Sequence, residues 1–337
     1  MTENKFLYET LWRIYEPDIP QFISQLAETN PMQRLKQVGM NCGCEYVALH
    51  SKDMCRRYTR FEHSIGVALI IWHFTHHPQQ AVAGLFHDIS TPAFAHVVDF
   101  LNGDHLTQES TEQPTFDMID QSPEIQTILG DLGLSTADVC NYHLFPIADN
   151  SSPQLSADRL EYTLGNFIQY HVCGTEDIER YFNALTVGTN EQGQPEIVFS
   201  NMETAEQFAM ASMNCSYVYI SDADRFTMQY LAEALKKAIQ AGALTPDDLY
   251  TTEENVIARL RENASTNAIW EDYINIRGVC RTQQKRSDRF CCKVNAKRRY
   301  LDPYVPKVGR VTEFSEKYRA EVADFLSMSF EEWLCKA

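Results

Sequence analysis

The chain has no run of about 20 apolar residues, the length that a bilayer-spanning helix needs, so no membrane segment is expected. Its opening residues, Met1-Thr2-Glu3-Asn4-Lys5, do not run from a basic stretch into an apolar one. No signal peptide is therefore expected, and the reading is a cytoplasmic protein. Internal repeats, low-complexity tracts and a Gly-rich phosphate loop are also missing, which removes P-loop nucleotide binding from the candidates. There are ten cysteines, but none forms a C-x-x-C pair. Cys42-Gly43-Cys44 and Cys291-Cys292 are too tightly spaced for a zinc knuckle. Ten dispersed cysteines in a chain of 337 residues do not make a secreted disulfide framework, so reduced thiols are expected. Positive charge is also scarce: 29 Lys and Arg stand against 46 Asp and Glu, a net −17. That balance disfavours nucleic acid as a general partner.

What is present is a chain able to build a large core, with 44% hydrophobic and 11% aromatic residues. Apolar spacing predicts helices over Ile19–Val38 (interrupted near Asn30-Pro31), Thr59–Phe74, Gln79–Asp88, Ser156–Tyr170 and Met202–Ala241. Pro92 is placed to open a further helix at its first turn. Leu244–Leu249 reads as a helix start and Glu253–Arg261 as another helix. Ala184–Val187 and Glu196–Phe199, around a polar turn with two glycines, read as a β-hairpin, and Phe290–Val294 as a strand. The expected fold is mostly α, with that small hairpin and a small α+β C-terminal region. The division is a helical domain over 1–240, its core about 20–175, and a smaller C-terminal region over 241–337.

The chemistry-bearing residues form an H…HD…D series. His63 lies in Arg60-Phe61-Glu62-His63-Ser64-Ile65-Gly66-Val67, and His87-Asp88 in Gly84-Leu85-Phe86-His87-Asp88-Ile89. Asp158 lies in Ala157-Asp158-Arg159-Leu160-Glu161-Tyr162. Arg60 and His63 are three apart, and Asp158 and Tyr162 four apart, so each pair shares a helix face. Two imidazoles and two carboxylates suit a divalent cation (Mn, Fe, Zn, Co, Ni or Mg) better than Ca, which prefers oxygen alone. A lone His-Asp pair also fits a core histidine with a carboxylate partner.

These three segments together resemble HD-domain metal-dependent phosphohydrolases, most of all the branch of dGTPases and SAM-and-HD-domain dNTP hydrolases. Met32-Gln33-Arg34-Leu35-Lys36-Gln37-Val38-Gly39, Ala93-Phe94-Ala95-His96 and the basic segment Lys293–Pro303 match other segments of that branch. The resemblance spans roughly residues 20 to 305 by segments. It implies an HD-domain helical fold and His63, His87, Asp88 and Asp158 as metal ligands. It implies Gln33, Arg60, Arg159, Tyr162 and Tyr219 at the substrate, and His96 facing phosphate in a catalytic position. The implied reaction is hydrolysis of a nucleotide, dNTP-like, or of a related phosphate ester by a metal-activated water. The implied partners are a phosphorylated small molecule and, in a homo-oligomer, further copies of the chain.

The sequence departs from that branch in three places. A His three residues after the HD pair is here Thr91. A His-Glu-x-x-Ser segment is here Gln108-Glu109-Ser110-Thr111, so a titratable His becomes an amide that cannot act as an acid. His105, one helical turn earlier, and Glu109 are the remaining catalytic candidates there. An Arg about two turns before Tyr219 is absent from Met210–Cys215, which weakens the case for a triphosphate. A nucleotide-binding regulator that kept the metal site, and a cyclic-nucleotide or oligonucleotide phosphodiesterase, are the alternatives. His73, His76 and His77 sit at a helix end where cations complement the dipole. Eleven Lys and Arg against two Asp between Arg277 and Arg310 give a local +9, leaving the rest near −26. That block reads either as a solvated or intersubunit face, or as a site for a phosphorylated ligand.

Overall fold

Thr59 opens the helix that carries His63. Its side chain and backbone N–H form a reciprocal capping box with Glu62, and the helix runs Arg60–Thr75. Residues 60–71 of this helix are buried except Glu62, so it is a core element rather than an amphipathic surface helix. The next helix, Pro78–Phe86, starts on Pro at its first turn and packs along it. That packing depends on Gly84: a Cβ there would lie 2.2 Å from Ile71 Cδ1. The second helix stops at Phe86, and His87 and Asp88 follow in a turn.

The computed structural model describes residues 2–50, 58–102 and 114–337. Among the described residues it holds seventeen α-helices and three small antiparallel sheets, a mostly α fold as expected. The helix Ala157–Gln169 packs on the His63 helix, with Ser156 at its N-cap accepting from the Arg159 N–H. Two glycines let it approach the His63 helix. A Cβ on Gly66 would lie 2.4 Å from Glu161 Oε1, and one on Gly165 would lie 2.5 Å from the Tyr58 ring. The hairpin pairs Leu185–Thr189 with Pro195–Phe199 in the expected place.

Several expectations need correction. Ile19–Val38 is interrupted at Asn30 as expected, giving the helices Gln21–Ala27 and Asn30–Arg34, but it ends in a 3₁₀ turn rather than in helix. Pro92 does not open a helix: residues 93–96 form a turn with Phe94 and Ala95 at positive φ, and the helix begins at Val97. The long stretch after Met202 is two helices, Met202–Tyr219 and Asp222–Gln240. The break at Ile220-Ser221 is fixed by Ser221, whose side chain caps the second helix by accepting from the Asp224 N–H at 3.2 Å. The expected strand over Phe290–Val294 is only Cys291-Cys292, which pairs with Trp333–Lys336; Val279–Thr282 flanks that strand on its other side. Cys291 and Cys335 are joined in a disulfide across a sequence separation of 44, so the expectation of reduced thiols fails for this pair. The thiols of Cys42, Cys44, Cys140, Cys173, Cys215, Cys280 and Cys292 are free.

Core packing crosses residue 240 in both directions. Leu301, Val305, Val311, Tyr318 and Phe325 pack into the same core as the His63 helix. Cys42, Cys44, Phe94 and Val97 pack instead with residues of the C-terminal half such as Trp270 and Tyr273. Among the described residues, no helix is long and apolar enough to cross a membrane.

Candidate functional site

His63 projects from the first turn of its helix and is almost wholly buried. Its Nδ1 is 2.5 Å from Glu161 Oε2, and the same carboxylate oxygen accepts from the Tyr58 hydroxyl. Glu161 therefore accepts from Nδ1–H, which leaves Nε2 to carry either a proton directed at Asp158 or a metal. His87 is arranged the same way: its Nδ1 is 2.7 Å from the Gly84 carbonyl, which can only accept. The two Nε2 atoms then face each other at 3.1 Å. Asp88 Oδ2 is 3.4 Å from His87 Nε2 and 3.8 Å from His63 Nε2. Asp158 Oδ1 is 3.1 Å from His63 Nε2 and 3.7 Å from His87 Nε2.

Two imidazole nitrogens and two carboxylate oxygens so close together repel unless protons or a metal cation lie among them. The donor set fits a divalent metal, and His63, His87 and Asp88 alone already converge closely enough to hold one. The second-layer partners, Glu161 and the Gly84 carbonyl, fix the tautomers in the way metal-ligating histidines require. The electrostatics agree. Burial alone would lower the His63 pKa, but its bonds to Asp158 and Glu161 carry it up to about 10. Burial would raise Asp88, yet the Arg60 guanidinium and His87 hold it well below the usual carboxylate range. Burial is likewise outweighed at Asp158, which His63 holds low. The cage attracts positive charge strongly, and a metal would compete with protons for it.

Around the cage lies a cavity of about 330 Å³. Arg60 lines it, with Nη1 2.8 Å from Asp88 Oδ2 and a buried Nε that has no partner among the described residues. Thr91, the residue in place of an expected His, donates from its hydroxyl to Asp88 Oδ1 at 2.7 Å and so orients that carboxylate. His96 also lines the cavity. The positive-φ turn at Phe94-Ala95 aims it inward, and Asp99 holds its Nδ1 at 3.0 Å. Burial lowers the His96 pKa, and the nearby Arg299 and Arg60 charges lower it further against the pull of Asp99.

Among the substrate candidates, Tyr162 and Tyr219 line the cavity with ring centroids 6.4 Å apart, and the Tyr219 hydroxyl accepts from Asn166 at 2.7 Å. Arg159 lines it too, but its guanidinium is engaged by the Gln154 and Asn150 carbonyls and by Asp149 at 3.1 Å. From the cavity wall it therefore holds a loop. Gln33 is not in the lining at all: its amide donates to the Ala27 carbonyl and accepts from Lys36. Arg225, the other cation near Tyr219, donates to Ile220, Val294 and Asp222. His105 and Glu109 lie outside the described residues.

Sequence reading missed Glu161 and Asp224, and did not tell which cations of the basic block reach the site. Glu161 was detectable: it stands three residues after Asp158 on the same helix face. Lys297 and Arg299 of the basic block reach the cavity, whereas Arg310 of that block is buried against Glu191 and Glu196. No local signal separates those two fates. Asp224 also lines the cavity, and only the helix break at Ser221 brings it there.

No family model matches the chain. It is 27% identical over 249 residues to YdhJ of Bacillus subtilis, a protein of uncharacterised function, covering 73% of each. It is 27% identical over 166 residues to the metal-dependent phosphohydrolase cns2 of Cordyceps militaris, spanning 48% of this chain and 45% of that protein. A crystal structure of a hypothetical protein from Aquifex aeolicus superposes with a TM-score of 0.64 at 20% identity, covering 94% of this chain and 92% of that one. A phosphohydrolase from Bacteroides thetaiotaomicron superposes with a TM-score of 0.63 at 16% identity, covering 95% and 96%. At those identities the shared feature is the fold, and the chain has the fold of that phosphohydrolase.

Proposed function

We propose that this protein is an HD-domain metal-dependent phosphohydrolase acting on a nucleotide or a related phosphate ester. The observation that carries the reading is the cage itself: two tautomer-locked Nε2 atoms and two carboxylates converging beside Arg60 in one cavity. The phosphohydrolase names borne by the partial relative cns2 and by the Bacteroides structure support it. A divalent cation bound by His63, His87, Asp88 and Asp158 supplies Lewis acidity and a lowered pKa for a bound water.

The chain's own residues do the rest. Arg60 presents a guanidinium edge that can bond phosphate oxygens while Asp88 holds it in place. Lys297 and Arg299 add positive charge from the other side of the cavity, where the helix Met202–Tyr219 offers no Arg of its own. His96, kept neutral near pH 7, has Nδ1 tied to Asp99 and is oriented to move a proton through its other nitrogen. Tyr162 and Tyr219 wall the space for the organic part of the ester.

The test is a screen of nucleoside mono-, di- and triphosphates, cyclic nucleotides and generic phosphate esters with Mn, Mg, Co and Ni, using His87→Ala with Asp88→Ala as control. Phosphate release that the double substitution abolishes is the expected result. Release that survives it would sink the metal-centred reading, and tight nucleotide binding without release under every metal would favour a regulator.

A further inference from the structure

The cavity has a long axis, and one helix measures it. Asp158, Tyr162, Asn166 and Tyr170 recur every four residues along the helix Ala157–Gln169 and its cap, and all four line the cavity. At 1.5 Å per residue, Asn166 lies about 12 Å and Tyr170 about 18 Å from Asp158 along the axis. The metal cage is therefore at one end, and the residues near Tyr170 are at the other. The lining changes character between them. At the far end the Tyr170 hydroxyl donates to Asn41 Oδ1 at 3.3 Å, and Asp224 faces the same space. Asp224 is near enough to Tyr170 and Cys42 to raise both their pKa values, whereas Cys42 also feels Arg60 from the cage side.

Asp224 is poorly provided for. Among the described residues, its carboxylate accepts from the Cys44 thiol at 3.6 Å, a weak donor, and forms no ion pair within 4.0 Å. Arg299 lowers its pKa from a distance, but burial dominates and carries it up to about 7. Asp224 is half-buried at the cavity wall, and a carboxylate whose one side-chain donor there is a thiol has acceptor capacity left for a ligand. A ligand that brings an N–H donor would complete it.

We propose that Asp224 is a specificity-determining residue: it accepts a hydrogen bond from an N–H group on the alcohol part of the phosphate ester held at the cage. The inference rests on the phosphohydrolase reading for the position of the phosphate. With its phosphate at the cage, a nucleotide-sized ester extends along this axis within a cavity of ordinary ligand size. An ester without an N–H donor would leave that acceptor capacity of Asp224 unmet, which selects against it. The amine of a nucleobase and the ammonium of an amino alcohol share this chemistry.

Matched substrates separate the sources. Adenosine monophosphate is compared with purine riboside monophosphate, each as the 5′ and 3′ ester, and 2-aminoethyl phosphate with ethyl phosphate. The expected result is a preference in kcat/KM on the order of 10- to 100-fold for the amine-bearing member of one pair. It should lie mainly in KM, shrink in Asp224→Asn and fall to near unity in Asp224→Ala. The pair that shows it identifies the source. A ratio that is unity in the parent chain, or survives Asp224→Ala, overturns the proposal while leaving the phosphohydrolase reading standing. If no ester turns over, that reading fails, and calorimetric binding of adenosine against purine riboside decides: an Asp224-dependent preference supports the subsite, and equal binding ends it. Because each ratio is taken within one variant, general damage to the fold cancels, and metal content checks that the cage persists.

Discussion

Glu161 shows how much of this site is set by a residue that does not face the substrate. Its carboxylate fixes the His63 tautomer and receives the Tyr58 hydroxyl, in a space that Gly66 and Gly165 leave open. Glu161→Gln keeps the shape but allows the amide to present a donor to Nδ1. Metal affinity should fall by about 10- to 100-fold, as judged by competitive metal titration, with circular dichroism unchanged. Gly66→Ala should act on the same residue by sterics, displacing Glu161 and lowering both the melting temperature and metal content. Normal values for both would mean that the two helices can part without cost. Asp224 carries a different prediction. Its folded pKa of about 7 lies above the usual carboxylate value, so the folded state holds the proton more tightly than the unfolded one. Stability is therefore full below about pH 4 and is lost as pH rises through about 7. Asp224→Asn should melt higher than the parent chain at pH 8, with the difference narrowing toward pH 4. A pH-independent difference would contradict the burial argument.

Helix ends, more than helix middles, position the functional groups. His63 is in a first turn, His87 at a C-cap, Asp158 in a first turn, and Tyr219 and Asp224 on either side of a break. The caps make those ends definite. Ser221→Ala removes the side chain that accepts from the Asp224 N–H and should cost about 1 kcal/mol in chemical denaturation. Because the same turn places Tyr219 and Asp224, that variant should also blunt any selectivity that Asp224 confers. These ends were unevenly legible. Thr59 followed by Glu62 is a capping box readable from residue types, and the helix start fell within one residue of expectation. The Ser221 break lay inside continuous apolar spacing, which gave no sign of it. Residues 93–96 were read as helical because Pro92 suits a first turn, but the chain instead takes positive φ at Phe94 and Ala95.

At the scale of the whole molecule, the cavity is closed by segments far apart in the chain. Asn41, Asp88, Asp158 and Asp224 meet the strap that carries Lys297 and Arg299. That strap follows Cys291-Cys292, whose strand is tied to the C-terminal strand by the Cys291–Cys335 disulfide. Closing a loop of this size contributes about 2–4 kcal/mol. Reductant, or Cys335→Ser, should lower stability to denaturant by that amount, and an unchanged midpoint would show that the bond contributes nothing.

The sequence by itself determined the mostly α character, the hairpin and the four groups that converge on the cage. The first two follow from local periodicity, and the four groups from the resemblance of their three segments, in order, to HD-domain phosphohydrolases. Only the tertiary structure decided that Glu161 locks His63, that Gln33 and the Arg159 guanidinium are occupied elsewhere, and which cations of the basic block face the cavity. It also decided that Asp224 lines the same cavity as the cage. Each of these depends on which surface a side chain meets after packing, and residue spacing along one helix carries no information about the element that will lie against it.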